Sequence, residues 1–383
     1  MRMDVAAWTD AQTEADLRSR GSLKWSGTEP GTIGAWVAEM DLPLAPSITA
    51  ALHRAADRGL TGYLPAYLDE AVGRATAAWQ ARYGWDIDPA DVHPVASVVG
   101  GLRIVIDQLT DPGAPVVLPV PAYMPFLAVP GLSGRGRELV TVPMTFVGDR
   151  CELDLPAIAA ALTPGALFIL TNPHNPTGRV FSADELLALA DVVDDAGAMV
   201  FADEIHAPLV YPGHAHRPYA ALSARTAAHT ITGTSASKGW NIPGLGCGQL
   251  ILSSDDLRDR WAGLNPVVWY GATPTGAVAT IAAYTEGAEH LADVLDYLRA
   301  GRDLFAAEIA QLLPRARLFP LQGTYLGWLD LRETGCDPAD VARLAGVRGV
   351  DGRLCGMAGF LRLNLAMPHH LVREMASRLA TLA

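Results

Sequence analysis

An α/β chain with a mostly parallel central sheet and a second, smaller domain is the fold class this sequence predicts, on three observations. Short apolar runs, among them Val116-Val-Leu118, Leu139-Val-Thr-Val142, Ala166-Leu-Phe-Ile-Leu170 and Ala198-Met-Val-Phe-Ala202, alternate with stretches of helical spacing. That alternation implies parallel strands joined by right-handed crossovers. The 383 residues are enough for one large domain plus a smaller one with an ample core. Half the residues are apolar and 18% are charged, so the chain is ordinary globular material rather than disordered or collagen-like.

Charge and cysteine usage exclude several roles. A formal charge of −12 and a pI near 5.2, with no basic block, argue against a nucleic-acid or anionic-membrane surface. Cys151, Cys247, Cys336 and Cys355 are dispersed, with no CxxC pair and no His at zinc spacing. They read as reduced packing residues of a cytoplasmic protein, and no metal site is expected. The opening MRMDVAAWTDAQTEADLRSRG lacks the apolar core of a signal peptide. No run approaches the roughly 18 uninterrupted apolar residues of a spanning helix.

Along the chain, residues 1–46 read as an arm and the first part of a small domain, 47–286 as the large domain and 287–383 as the rest of the small one. Gly34-Ala-Trp-Val-Ala-Glu-Met-Asp-Leu-Pro43 is a short extended apolar stretch. Ser47 is expected to cap a helix that runs to about Arg58, followed by a turn at Gly62-Tyr63. Apolar residues at 68, 71, 72, 75, 78 and 79 predict a helix over 68–83. Ala96-Ser-Val-Val-Gly-Gly101 reads as a strand-to-helix turn whose free amides suit a phosphate, although two glycines also mark many plain turns. Pro115–Pro119 is a predicted strand followed by Pro121-Ala-Tyr-Met-Pro125. Ser182 with Glu185 three residues on is a capping box that opens a helix. Beyond Gly271 the pattern is helical, up to antiparallel strand candidates at 323–330 and 359–366.

Within this frame one stretch holds the chemistry. Lys238, in Ser235-Ala-Ser-Lys238, is one of only two lysines, with Lys24, among 29 lysines and arginines. An amine forms Schiff bases with carbonyls, which a guanidinium cannot do. Strands ending at Asp203 and near Gly233 bring a carboxylate and Lys238 to one sheet edge, the edge where ligands bind in α/β folds. A lysine and an aspartate so placed suit pyridoxal phosphate (PLP), whose pyridinium nitrogen takes an acidic partner. An ordinary Asp–Lys ion pair at a loop edge is the alternative.

The ordered set Asn172-Pro-His-Asn-Pro-Thr-Gly178, Asp203-Glu-Ile-His206 and Ser235-x-Ser-Lys238 resembles the fold type I PLP enzymes of the class I and II aminotransferase superfamily. With Trp36-Val-Ala-Glu-Met-Asp41 it resembles their cystathionine β-lyase, or C-S lyase, branch. That resemblance implies a mostly parallel sheet with helices on both faces and a small α+β domain. It implies Lys238, Asp203 and Tyr123 as catalytic residues, with Tyr123 stacked on the cofactor ring. Asn175 and His206 are expected near the ring's phenolic oxygen. The amides of Val98 and Val99 and the hydroxyls of Ser235 and Ser237 are expected at its phosphate, together with Tyr63 from the other subunit of a homodimer. Arg362 and the backbone near Val37 and Ala38 are expected to take the substrate carboxylate. Two departures stand out. Glu39 occupies a position where the family more usually has Asp, and Gly246 one where many relatives carry a cation.

The function so implied is β-elimination from L-cystathionine or a related cysteine S-conjugate. An aminotransferase, or a specialised biosynthetic PLP enzyme, would use the same residues. A PLP-binding regulator would need an appended DNA-binding module, and residues 1–46 are taken up by the small domain. His174, His214 and His216 read as loop or surface residues, and Tyr211, Trp240, Trp269 and Tyr270 as candidates for the side-chain pocket.

Overall fold

The structure, a computed structural model, describes residues 3–133 and 136–382. Seven strands form the central sheet: β1 (Val92–Val95), β2 (Val116–Val120), β3 (Leu139–Pro143), β4 (Leu167–Thr171), β5 (Met199–Asp203), β6 (Thr230–Thr234) and β7 (Gly248–Leu252). Their spatial order is β1-β7-β6-β5-β4-β2-β3. From β6 to β3 every pairing is parallel, and β7 alone runs against its neighbours. The predicted parallel sheet is therefore present, with one reversed strand. β2, β4, β6 and β7 are buried at every position, as expected of strands covered on both faces.

Helices α1 (Pro46–Asp57), α2 (Ala66–Gln80), α3 (Val98–Ile104), α4 (Met124–Leu132), α5 (Ala183–Asp195), α6 (Pro274–Glu286), α7 (Ala288–Leu312) and α8 (His369–Leu379) pack around the sheets. The capping box of α5 forms as predicted: the Ser182 hydroxyl accepts from the Glu185 amide while the Glu185 carboxylate accepts from that of Ser182. At α1 the expectation fails. Ser47 does not cap; it lies inside the helix, which starts at Pro46, whose fixed φ suits the first helical position, and Ala45 stands as N-cap without a side-chain bond.

A second sheet joins β8 (Arg317–Leu318), β9 (Leu326–Asp330), β10 (Val350–Asp351) and β11 (Phe360–Asn364) in the order β8-β9-β11-β10. It is antiparallel throughout. Ile33–Gly34 pairs in parallel with Val347–Arg348, so the N-terminal stretch packs with the C-terminal one. Among the described residues no helix is long and apolar enough to cross a membrane.

The other lysine has a structural task. Lys24, fully buried, donates to Asp41 Oδ2 at 2.7 Å and to the Ala366 carbonyl at 3.1 Å. Asp41 Oδ1 accepts from the Trp25 indole at 2.9 Å. The pair ties the segment after Trp36 to the chain just beyond β11. Removing one member of a buried ion pair leaves the other's charge uncompensated. Asp41→Ala is therefore expected to cost about 3–5 kcal/mol, read as a lowered urea midpoint at unchanged slope.

Candidate active site

Parallel pairing of β5 with β6 sets Asp203 opposite Gly233, so the C-terminal ends of both strands lie at one edge. Beyond β6 the chain turns through Ser235–Lys238, held by the Ser235 hydroxyl, which accepts from the Ser237 amide and donates to the Cys247 carbonyl at 2.9 Å. The result is a cavity of about 240 Å³ lined by Asp203, Lys238, Asn175, His206, Tyr123, Ser235 and Ser237. Ala38, Val98 and Val99 complete that wall.

Desolvation governs the ionisation here. Asp203 is 4% exposed, and among the described residues its carboxylate accepts only from the Ile205 amide, at 3.2 Å. Burial pushes its carboxyl up to about 7, although that amide and the Lys238 charge pull it down. Lys238 Nζ donates to the Ala38 carbonyl at 3.1 Å. Burial, then the Arg362 charge, brings its amine down to about 8, against the pull of Asp203 and Glu39. An amine near 8 has a far larger neutral, reactive fraction near neutral pH than an ordinary lysine. His206 is held well below the usual histidine range by burial, and its buried Nδ1 has no partner among the described residues.

Arg362 is a buried cation whose partners are neutral. It lies inside β11 at 2% exposure, donating to the Trp36 carbonyl at 2.9 Å and to Asn175 Oδ1 at 3.1 Å. Among the described residues its Nε has no acceptor, and its partners are the Trp36 carbonyl, Asn175 Oδ1 and the Met124 sulfur, with no carboxylate among them. A buried guanidinium without a counter-charge is costly, so this one suits a carboxylate brought from outside. Because Asn175 Oδ1 accepts from Arg362, the amide's NH2 remains a donor.

The phosphate end contains donors rather than cations. α3 begins at Val98, and a helix's first amides have no intrahelical acceptor. The Ser97 hydroxyl accepts from the Gly100 amide at 3.0 Å, which leaves the Val98 and Val99 amides toward the cavity. Gly246 has φ +66°, a conformation that disfavours any side chain, which accounts for the missing cation there. Tyr63 is 85% exposed, in edge contact with Tyr270, and does not line its own chain's cavity.

A phosphorylated pyridine aldehyde fits these residues on their own chemistry. There is an amine for the aldehyde, a buried acid lacking a cation for the ring nitrogen, orphaned nitrogens at His206 and Arg362, and free amides at a helix start for the phosphate.

The structure departs from sequence expectation at several residues. His174 and His216 are not surface groups. His174 is buried with Nδ1 2.8 Å from the Thr177 hydroxyl, and His216 Nε2 lies 3.1 Å from buried Glu204. The loops carrying them fold back against the sheet, as their own buried partners require. His214 alone of the three is exposed. Tyr211 and Trp240 belong to the core: Tyr211 donates to the Thr324 carbonyl and Trp240 to that of Gly287, beside Trp79 and Tyr284. The Ser235 hydroxyl proton is already used by Cys247 and must turn before it serves a phosphate. Asn364 and Tyr325 escaped sequence reasoning. Asn364 Nδ2 bonds the Val37 and Glu39 carbonyls at 2.6 Å each, and Tyr325 the Ala38 carbonyl at 2.8 Å. A polar residue inside the apolar run 359–366 was the available signal.

Residues 37–379 match the model of the family described as aminotransferase class I and II. The cystathionine β-lyase of Corynebacterium glutamicum is 34% identical over 96% of this chain and 98% of that protein. The cystathionine β-lyase PatB of Bacillus subtilis is 30% identical over 90% of this chain and 92% of its own. Among solved structures, cystalysin from Treponema denticola, which contains a pyridoxal 5′-phosphate cofactor, superposes with a TM-score of 0.89 at 26% identity over 98% of both chains.

A pH test follows from Asp203. A carboxyl whose folded value is raised from 3.8 to about 7 contributes stability that is complete below about 4 and lost as pH rises through 7. Asp203→Asn in the cofactor-free protein should gain stability over the native chain between pH 4 and 7, by on the order of a few kcal/mol, and level off above. Urea unfolding of both proteins across that range checks it.

Proposed function

The chain belongs to the aminotransferase class I and II family, and from that premise we propose that it is a PLP-dependent carbon–sulfur β-lyase. It cleaves L-cystathionine or a related cysteine S-conjugate to a thiol, pyruvate and ammonia. The observation that carries the reading is the buried, carboxylate-free Arg362, bonded to the cavity residue Asn175, together with a depressed lysine amine; relatives that match over nearly their whole length and are cystathionine β-lyases support it.

Bound PLP supplies an aldehyde for the amine and a ring that stores the electron pair of a broken Cα bond. Every other part of the chemistry falls to this chain. Arg362 takes the substrate carboxylate with its two-pronged guanidinium, between the Trp36 carbonyl and Asn175. Asp203 would hold the ring nitrogen, and a protonated nitrogen there would supply the cation that the buried carboxyl lacks, favouring its ionised form. Tyr123 lines the cavity and would stack on the bound ring. Lys238 is the base for the α-proton, because lowering its amine to about 8 gives it a usable neutral fraction near pH 7 that grows to about half at pH 8. The sulfur then leaves Cβ as a thiolate.

Tyr63 and its exposed neighbours fit an isologous homodimer in which its hydroxyl serves the partner's phosphate. The domains are taken as 1–46 with 287–383 around the large unit 47–286, and the compartment as cytoplasmic.

Two variants test the assignment. Lys238→Ala should lose at least about a thousandfold of thiol release from L-cystathionine while still binding PLP noncovalently. Arg362→Lys should raise KM roughly a hundredfold, more than it lowers kcat, because one point charge replaces a fork. Ordinary thiol release by Lys238→Ala would refute the role.

A further inference from the structure

One carbonyl in the site carries two donors. The Ala38 oxygen accepts from Lys238 Nζ at 3.1 Å and from the Tyr325 hydroxyl at 2.8 Å. Tyr325 is 1% exposed, its ring stands edge-on to His206 with centroids 6.3 Å apart, and it does not itself border the cavity. Burial pushes its phenol far above the usual range, so it remains a donor at any working pH.

The tyrosine is held as firmly as anything in the molecule. The residue before it, Thr324, has φ +66°, left-handed backbone that a β-branched residue rarely adopts. Three bonds impose that conformation. The Thr324 amide donates to the Leu209 carbonyl at 2.7 Å, its carbonyl accepts from the Tyr211 hydroxyl at 2.7 Å, and its side-chain oxygen accepts from the Leu326 amide at 3.1 Å. Leu326 then enters β9, paired with β11 beside Arg362. The fold thus keeps unfavourable backbone at the residue that aims Tyr325 at the Ala38 carbonyl.

The strap containing Ala38 is pinned at every other link. Arg362 donates to Trp36 O, Asn364 to Val37 O and Glu39 O, and Asn241 both donates to Met40 O and accepts from the Met40 amide, at 2.8 Å each. Without Tyr325, the Ala38 carbonyl would be held only by the amine that it has to hold.

We propose that Tyr325 is a positioning residue for proton transfer: it fixes the Ala38 carbonyl as the acceptor on which the freed amine of Lys238 rests, with its lone pair turned into the cavity. The direction follows from tetrahedral nitrogen. A neutral amine has two N–H bonds and one lone pair, and spending an N–H on the strap turns the lone pair away from it, toward the substrate. One proton then passes from substrate Cα to Nζ, and the C–H electron pair stays on the substrate side. The charged groups facing Nζ are Arg362, Asp203 and Glu39, and none of them is its hydrogen-bond acceptor here. The inference rests on Lys238 being the proton-carrying amine of the proposed function, and it is indifferent to which bond breaks afterwards.

The test is Tyr325→Phe, which removes one oxygen and keeps the ring. In PLP-free protein, reductive methylation followed by peptide mass spectrometry reads both lysines separately. Lys238 should react several-fold faster in the variant, while Lys24, tied to Asp41 and the Ala366 carbonyl, reacts at the native rate and reports that the fold is intact. In PLP-loaded protein, exchange of the α-hydrogen of L-alanine with deuterated water should fall roughly tenfold at unchanged cofactor absorbance. Native labelling and native exchange would overturn the proposal. So would equal acceleration at both lysines, or slow exchange accompanied by lost cofactor absorbance, since these mark a merely structural tyrosine. No exchange even in the native protein would refute Lys238 as the proton carrier, whereas the labelling result would still decide where Tyr325 holds the strap.

Discussion

Everything at the site depends on the parallel register of β5 against β6. With Asp203 opposite Gly233, the carboxylate and the turn bearing Lys238 leave the sheet side by side at one edge. A slip of one residue would swap the faces of β5 and turn Asp203 away from the cavity. The register is over-determined: Met199 to Asp203 pairs along its whole length with β4, and β4 and β6 are buried on both faces. β4 delivers Asn172 and Asn175 to that same edge. The apolar sheet thereby sets charged groups where they would not go by themselves.

What the sheet delivers is a set of partly compensated charges. Asp203 and Arg362 are each nearly inaccessible to water, and among the described residues neither has a counter-ion in direct contact. Desolvation raises the acid and lowers the lysine amine between them, so all three are poised to gain by meeting a bound group of opposite charge. Lys24 with Asp41 is the contrasting case: an equally buried pair in direct contact, whose office is to anchor the strap from Trp36 to Met40. Only one of the two lysines is therefore left for chemistry.

The sequence made the sheet and the covalent centre readable because both are local signals. Apolar runs of strand length marked β4 and β5, and a lysine among so many arginines marked Lys238. The capping box at Ser182 was likewise local and formed. What could not be read is what depends on pairs distant in sequence. Ser47 looked like a cap until Pro46 took the first helical position. His174 and His216 read as loop or surface residues; they lie in loops but are buried, His174 bonded to Thr177 and His216 to Glu204. The Ala38 strap is held by Tyr325, Asn364 and Arg362, each more than 280 residues away in the chain, and no spacing rule connects them.

The cavity residues serve β-elimination and amino-group transfer equally, since both begin with the same proton at Cα. Products separate the two. The most direct measurement is pyruvate formed from L-cystathionine by the purified, PLP-loaded protein, with and without an added 2-oxo acid. Sustained pyruvate in the absence of the acceptor is the result predicted for a carbon–sulfur β-lyase. Amino-group transfer that starts only when the 2-oxo acid is supplied, with no pyruvate before it, would contradict that account and make the protein an aminotransferase.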